Sequence, residues 1–414
     1  MNGQIKIMIA VATMVCLLMA DKANAQPECG YEVVIVHPDP CGPLGPPSAS
    51  GRGINAFGHI AGLRTKCSDQ LSQAFFWTPQ TGMVDVNVPV DTFSSEAADI
   101  EGTWIVGTFN LDGDGLSGLG FLYDSETDEF TNLGTLRGGN FSQATAINSA
   151  GQVSGFWGNF VNGNPAAEAF IWENGRMTGL GDYLNTLNSK ALAMNELGQV
   201  TGWMGSSHII DSHAFIWDNG KVTELPFIPD GFTSAGFGIS NNGNVAGSGT
   251  KFDEVLQDDV RHAFLWTDGK MIDLGVLPGR TESFAFGVND ARQVVGLSWD
   301  FGSNGAPFIW QNGVMSNLND IVPAEFTIAE VWAINNEGMI AGSGNGAEGG
   351  FPGMALLIPH PRPVGDLDLD CEIDLDDLVL LLDNWGPCDE CPYDLDGNGI
   401  VSTSDLLILF SNWG

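Results

Sequence analysis

The residues best spaced for chemistry lie near the C-terminal end of the chain. Asp366, Asp368, Asp370, Asp374 and Asp377 are answered, in the same register, by Asp394, Asp396, Asn398, Ser402 and Asp405. Oxygens at positions 1, 3, 5, 9 and 12 of a loop, with a backbone carbonyl at position 7, wrap a calcium ion, which takes roughly six to eight oxygen ligands. The position-7 carbonyls belong to Glu372 and Ile400. A merely solvated acidic turn explains the charge but not its duplicated register. Two bound calcium ions are therefore expected, one in each loop.

Each loop feeds an apolar run of helical period. Leu378, Leu381, Leu382 and Trp385 recur at helical spacing, as do Leu406, Leu409, Phe410 and Trp413. These are expected to form the core between two helices and not a ligand site. The loop–helix pair, residues 365–414, resembles a type I dockerin, a module that in its family plugs into a cohesin partner. In dockerins the two residues before the last loop Asp help read that partner. Thr403-Ser404 match the hydroxyl pattern, whereas Leu375-Asp376 depart from it, so the resemblance implies recognition through the second repeat. Loop position 6 is Cys371 in the first copy, where glycine is usual. A disulfide from Cys371 to Cys388 or Cys391 would offset the resulting strain.

The other chemistry-like patterns are weaker. Gly113–Gly118 satisfies a dinucleotide fingerprint by letters alone, without the helix such a site needs. The same stretch, with Asp112 and Asp114, is either a small third calcium loop or an ordinary Asp-Gly turn. No His-Glu-x-x-His, Gly-x-Ser-x-Gly or phosphate loop occurs. His213 and His262 occupy repeat-equivalent strand starts, which favours a structural hydrogen-bonding role over metal ligation. Arg137, Asp182, Asp230, Arg280, Glu282 and Glu325 are scattered over several interstrand loops. Their mixed signs suit a solvated or partner-binding rim.

The element that must carry those loops is a repeat. An apolar residue, Asn or a substitute, a short turn and Gly-x-Val/Ile-x-Gly recur from Ile54-Asn55 to Ile334-Asn335, with a degenerate copy at Ile100-Glu101-Gly102. The seven copies lie about 45 to 49 residues apart, in the range of propeller blades. A second motif follows each one, as in Ala74-Phe75-Phe76-Trp77 and His262-Ala263-Phe264-Leu265-Trp266, decaying to Ala355-Leu356-Leu357-Ile358 in the seventh. Asn-Gly or Asp-Gly then signals a type I′ hairpin in most copies. Four short strands per unit cannot bury both faces alone, so seven sheets must stack radially. The fold class is mainly β: a seven-bladed β-propeller over residues 26–358, a Pro-rich linker at 359–364, and the small helical calcium-loop domain. Tyr31–Val36 has fourth-strand character and precedes any complete blade, so it is expected to complete the last one. The repeats are similar to the extracellular HAF-family repeat, named for the triplet at His213–Phe215 and His262–Phe264. That resemblance implies an exported repeat protein and carries no activity with it.

Composition sets the remaining bounds. The chain has 55 Gly, 12 Trp and 24 Phe in 414 residues, fitting short strands and repeated ring packing better than helical bundles. A formal charge of −36 repels phosphate backbones and anionic lipid, which argues against nucleic-acid or membrane-surface partners. Residues 1–25 read as a secretory signal, with Lys6, an apolar run and Ala23-Asn24-Ala25 before the cleavage point. The apolar run is too short to span a membrane. Cys29, Cys41, Cys67, Cys371, Cys388 and Cys391 remain, and an even number in an exported chain favours disulfides, with Cys41–Cys67 the preferred pair.

These features suit a secreted or cell-surface, monomeric, non-catalytic binding or scaffold protein with calcium as its cofactor. Its partner would be a cohesin-like or cell-surface protein, or an extracellular glycan. An extracellular polysaccharide-active enzyme carrying the same tail and a purely structural surface protein are the alternatives.

Overall fold

The computed structural model describes residues 30–38, 47–66, 71–112, 118–161, 164–184, 188–205, 211–300, 305–346, 351–360, 363–367, 373–388, 391 and 393–413. The signal segment, Cys29, Cys41, Cys67, Asp114 and the first-loop residues Asp368, Asp370, Cys371 and Glu372 lie outside the described residues. The described residues fall into two units, with Val33–Ile358 as the larger.

The larger unit is a seven-bladed β-propeller of four-stranded antiparallel sheets. Its inner strands are Ala49–Ile54, Ser94–Glu101, Phe141–Ile147, Ser189–Met194, Gly231–Ile239, Glu282–Val288 and Thr327–Ile334. They touch one another in sequence around a closed circle, the first against the last. Tyr31–Val36 supplies the outermost strand of the seventh sheet, beside Gly353–Pro359. The closing strand thus comes from the opposite end of the chain.

Side chains fill both sides of each sheet. Phe75, Phe121, Phe170, Phe215, Phe264 and Phe308, at equivalent points of the third strands, have no exposed surface. Phe75 and Trp77 pack with Met354 and Leu356 of the seventh blade, while Phe76, on the opposite face, packs with Phe121 of the second. Large rings from one sheet therefore meet aliphatic or aromatic side chains of its neighbour and fill the gap between twisted sheets. The outer hairpins of blades three to six have positive φ at both turn residues, for example 51° at Asn174 and 79° at Gly175, the type I′ geometry that Asn-Gly favours.

Every inner strand carries a β-bulge at the same place. The last glycine of each repeat faces that bulge. A Cβ on Gly62, Gly107, Gly155, Gly202, Gly247, Gly296 or Gly342 would overlap the facing carbonyl oxygen of the inner strand. The glycine is the counterpart of the bulge, and the bulge re-aims one side chain per blade toward the axis.

The repeat's Asn is a hook between blades. Asn195 Oδ1 accepts from the N–H groups of Leu197 and Gln199, while its Nδ2 donates to Ser240 O of the next blade at 2.9 Å. Asn289 reaches Asn335 O at 3.1 Å, and Asn335 reaches Asn55 O at 2.9 Å, across the junction of the last and first blades. Serines tie the blades at a second level. Ala74, Gly120, Ala169, Ala214 and Ala263 each donate a backbone N–H to a buried Ser hydroxyl, of Ser95, Ser142, Ser189, Ser234 and Ser283, in the following blade.

In the smaller unit, helices α1 (Leu375–Asp383) and α2 (Thr403–Ser411) each begin with a capping box, Asp374/Asp377 and Ser402/Asp405. Their core joins Leu378 and Leu381 to Leu406, Leu409, Phe410 and Trp413. The expected symmetry of the two apolar sets is broken. Leu382 and Trp385 are 42% and 44% exposed, because Phe410 and Trp413 together with loop residues complete the core without them. Leu375, Val379 and Leu382, spaced along one face of α1, are also exposed. Cys388 and Cys391 form a disulfide with each other, Cα atoms 5.8 Å apart, which removes both as partners for Cys371. No helix among the described residues is long and apolar enough to cross a membrane.

Candidate binding sites in the tail and the propeller channel

The second acidic loop gathers its carboxylates. Ligand oxygens of Asp394, Asp396 and Asp405 lie within 4.8 Å of one another. The loop curls because its own amides turn inward: Gly399 N donates to Asp394 Oδ2 at 2.6 Å, and Asn398 N to both Asp394 and Asp396 at 3.1 Å. Asp405 accepts from Leu395 N, Asp396 N and Ser402 N. Its side chain has no exposed surface, though it sits shallowly. That burial raises its pKa, but the backbone N–H groups outweigh it and hold the carboxyl below the usual range. Asn398 Oδ1 accepts from Ile400 N, and Ser402 caps α2. A concave, oxygen-only set is the donor chemistry that suits a hard cation such as calcium.

The first loop repeats this pattern wherever it is described. Asp377 Oδ1 accepts from Leu367 N and its Oδ2 from Asp374 N, as Asp405 does from Leu395 N and Ser402 N. Asp366 and Asp377 are buried, and Asp374 caps α1. Ser404 shares hydrogen bonds with Ser402 and Asp405.

The propeller holds a cavity of about 330 Å³ on its axis, lined by all seven inner strands. The bulge residues Arg52, Ala98, Thr145, Leu192, Phe237, Phe286 and Trp332 reach it, and only the two Phe share a residue type. Three aromatic rings occupy blades five to seven: Phe237 and Phe286 have centroids 6.0 Å apart, Phe286 and Trp332 4.7 Å. The Arg52 guanidinium lies 3.8 Å over the Trp332 ring. Trp332 is oriented by a hydrogen bond from its Nε1 to Glu330 at 3.2 Å. Burial lowers the pKa of Arg52, opposed by the charges of Glu330 and Glu96.

Blade two brings acid to the same cavity. Asp99 stands just past the bulge, and burial pushes its carboxyl up to about 7, against the N–H bonds from Ile147 and Ile100 and with the charges of Glu101 and Glu196 adding to the rise. Asp99 is half-buried and lines the cavity. Glu101 is raised by burial and then by Glu196. Glu196 accepts from Ser149 N at 3.0 Å in the neighbouring turn.

The residues singled out from interstrand loops do not form this site. Arg137 contacts Glu168 at 3.6 Å, Glu282 accepts from Trp299 Nε1, and none of Arg137, Asp230, Arg280, Glu282 or Glu325 lines the cavity. His213 pairs with Glu224 at 2.7 Å and His262 with Asp273 at 2.9 Å, both between third and fourth strands. Burial alone would raise Asp273, but hydrogen bonds from His262, Lys251 and Gly275 N hold it well below the usual carboxylate range. Sequence reasoning missed Arg52, Phe237, Phe286 and Trp332. The usable signal was their constant place two residues before each apolar–Asn pair, where the residue type varies from blade to blade.

No protein-family model matches the chain, and no curated protein matches it. Among solved structures it is similar to the β-propeller domain of the Trilobed protease from Pyrococcus furiosus, at 16% identity and a TM-score of 0.46 over 66% of this chain and 84% of that one. It is also similar to an oligogalacturonate lyase from Vibrio parahaemolyticus (10% identity, TM-score 0.48, 81% and 98% covered). An acylaminoacyl peptidase from Pyrococcus horikoshii matches over 66% of this chain (15% identity, TM-score 0.45), a span that covers 45% of the enzyme. At these identities the likeness concerns propeller architecture and no activity.

Proposed function

We propose that this chain is an exported binding protein, with the propeller as its interaction platform and the tail as a calcium-dependent docking module. The observation that carries the tail's part is the convergence of Asp394, Asp396 and Asp405 in one loop, in the register of Asp366 and Asp377 in the other. Two ions would be held by Asp366, Asp368, Asp370, Glu372 O, Asp374 and Asp377, and by Asp394, Asp396, Asn398, Ile400 O, Ser402 and Asp405. Calcium supplies the charge that lets these acids sit together and fixes each loop against its helix. The exposed apolar stripe of α1, Leu375, Val379 and Leu382 with Trp385 beyond it, is the face offered to a protein partner of the cohesin kind. Export rests on the signal pattern of residues 1–25.

Calorimetric titration of the full mature chain with calcium tests this reading, alongside Asp377→Asn and Asp405→Asn. The expected result is binding at two sites, each substitution weakening one of them by roughly tenfold or more. Absence of calcium binding, or identical titrations for all three proteins, would sink the docking role.

A further inference from the structure

Ring closure does not require what the axis of this propeller contains. A bulge residue needs only to clear its neighbours, and Ala98 and Thr145 do so with small side chains. Blades five to seven nevertheless place Phe237, Phe286 and Trp332 there, each partly accessible to the cavity. Leaving large rings partly open to the cavity forgoes part of the gain from burying them. Arg52 covers one face of Trp332, and no described residue accepts a hydrogen bond from its guanidinium. Glu101 brings a carboxylate to the same cavity. The cavity's size falls at the lower end of the ~300–1,000 Å³ typical of small-molecule sites.

Each feature narrows the occupant. A simple anion would suit Arg52 but meet Asp99, Glu101 and Glu196. A simple cation would suit the carboxylates and the ring faces but meet the charge of Arg52. An apolar ligand would leave the charged groups without partners. A ring with an apolar C–H face, and hydroxyls that both donate and accept, satisfies all of them. From this juxtaposition we infer that the propeller channel binds a neutral saccharide, one sugar ring lying against the Phe286–Trp332 wall with its hydroxyls bonded to Arg52 and Glu101. The inference rests on the propeller's role as a binding platform and is independent of calcium in the tail.

The test is calorimetry and tryptophan fluorescence on the full mature chain with cellotriose, xylotriose and mannotriose, up to about 10 mM. At least one of them is expected to bind, and Arg52→Gln and Trp332→Ala to weaken it by roughly tenfold. Trp332→Phe, which keeps a ring, should lose less, and Leu197→Ala, on an exposed turn outside the cavity, should bind as the parent does. Should Trp332→Ala fail to fold, Arg52→Gln and Trp332→Phe decide the matter. No binding by any of the three sugars overturns the inference, as does binding indifferent to Arg52 and Trp332. Displacement of the sugar by acetate at equal concentration would reassign the site to anions, and displacement by calcium would reassign it to cations. Calcium titration of the same variants separates the two proposals, since the tail sites should remain intact in every channel variant.

Discussion

Asp99 occupies a position that the other blades fill with Gly53, Ala146, Ala193, Gly238, Gly287 and Ala333. Space for it is made next door, since a Cβ on Gly53 would collide with Asp99. Blade two has Glu101 where most blades have the hooking Asn, and the Asp99 carboxylate instead accepts Ile147 N of blade three at 3.1 Å. The acid thus stands in for a missing link and is held near neutrality by its burial. A carboxyl pushed up to about 7 from its ordinary 3.8 keeps its proton in the folded state over a range where the unfolded chain has lost it. Its effect is to lower stability as pH rises through that window. Asp99→Asn should therefore flatten the pH dependence of the melting temperature between pH 4 and 7, gaining on the order of a few kcal/mol at the upper end. Thermal melts of both proteins across that range check it, and parallel curves would refute the assignment.

At the scale of the element, the repeat's Asn and its final Gly have separate tasks. The Gly admits the bulge, and the Asn closes its own turn while reaching the next blade. Asn335 does this at the seam, accepting from Glu337 N and Met339 N and donating to Asn55 O. Asn335→Ala removes three hydrogen bonds, one of them buried, and is expected to cost about 1–3 kcal/mol. Chemical denaturation should show the loss as a lower midpoint with an unchanged slope. The same exercise on exposed Asn312, a hairpin residue, should cost less. The motif's recurrence was legible in the sequence, as were the hairpins. The reason for its last Gly was not, because the bulge it faces lies on another strand and depends on register.

For the whole molecule, closure depends on Tyr31–Val36 pairing with Gly353–Pro359, two segments at opposite ends of the propeller. A sheet deprived of its outer strand exposes an unpaired edge, which invites association with another chain. Deleting residues 31–36 is predicted to lower the melting temperature and produce oligomers in size-exclusion chromatography. A monomer of undiminished stability would show that the closing strand is dispensable. Fourth-strand character at one end and its lack at the other were enough to foresee this closure.

Local chemistry, read along the chain, determined the blade count, the strand order, the closing strand and the two acidic loop–helix units. Each rests on patterns a few residues long, repeated often enough to be recognised. What met on the axis was decided only by the tertiary structure. Arg52, Asp99, Phe286 and Trp332 come from different blades, and seven sheets must close around one centre before their side chains share a cavity. The same holds in the tail, where apolar residues with one spacing became core on α2 and partly surface on α1, because burial depends on what packs opposite as well as on period.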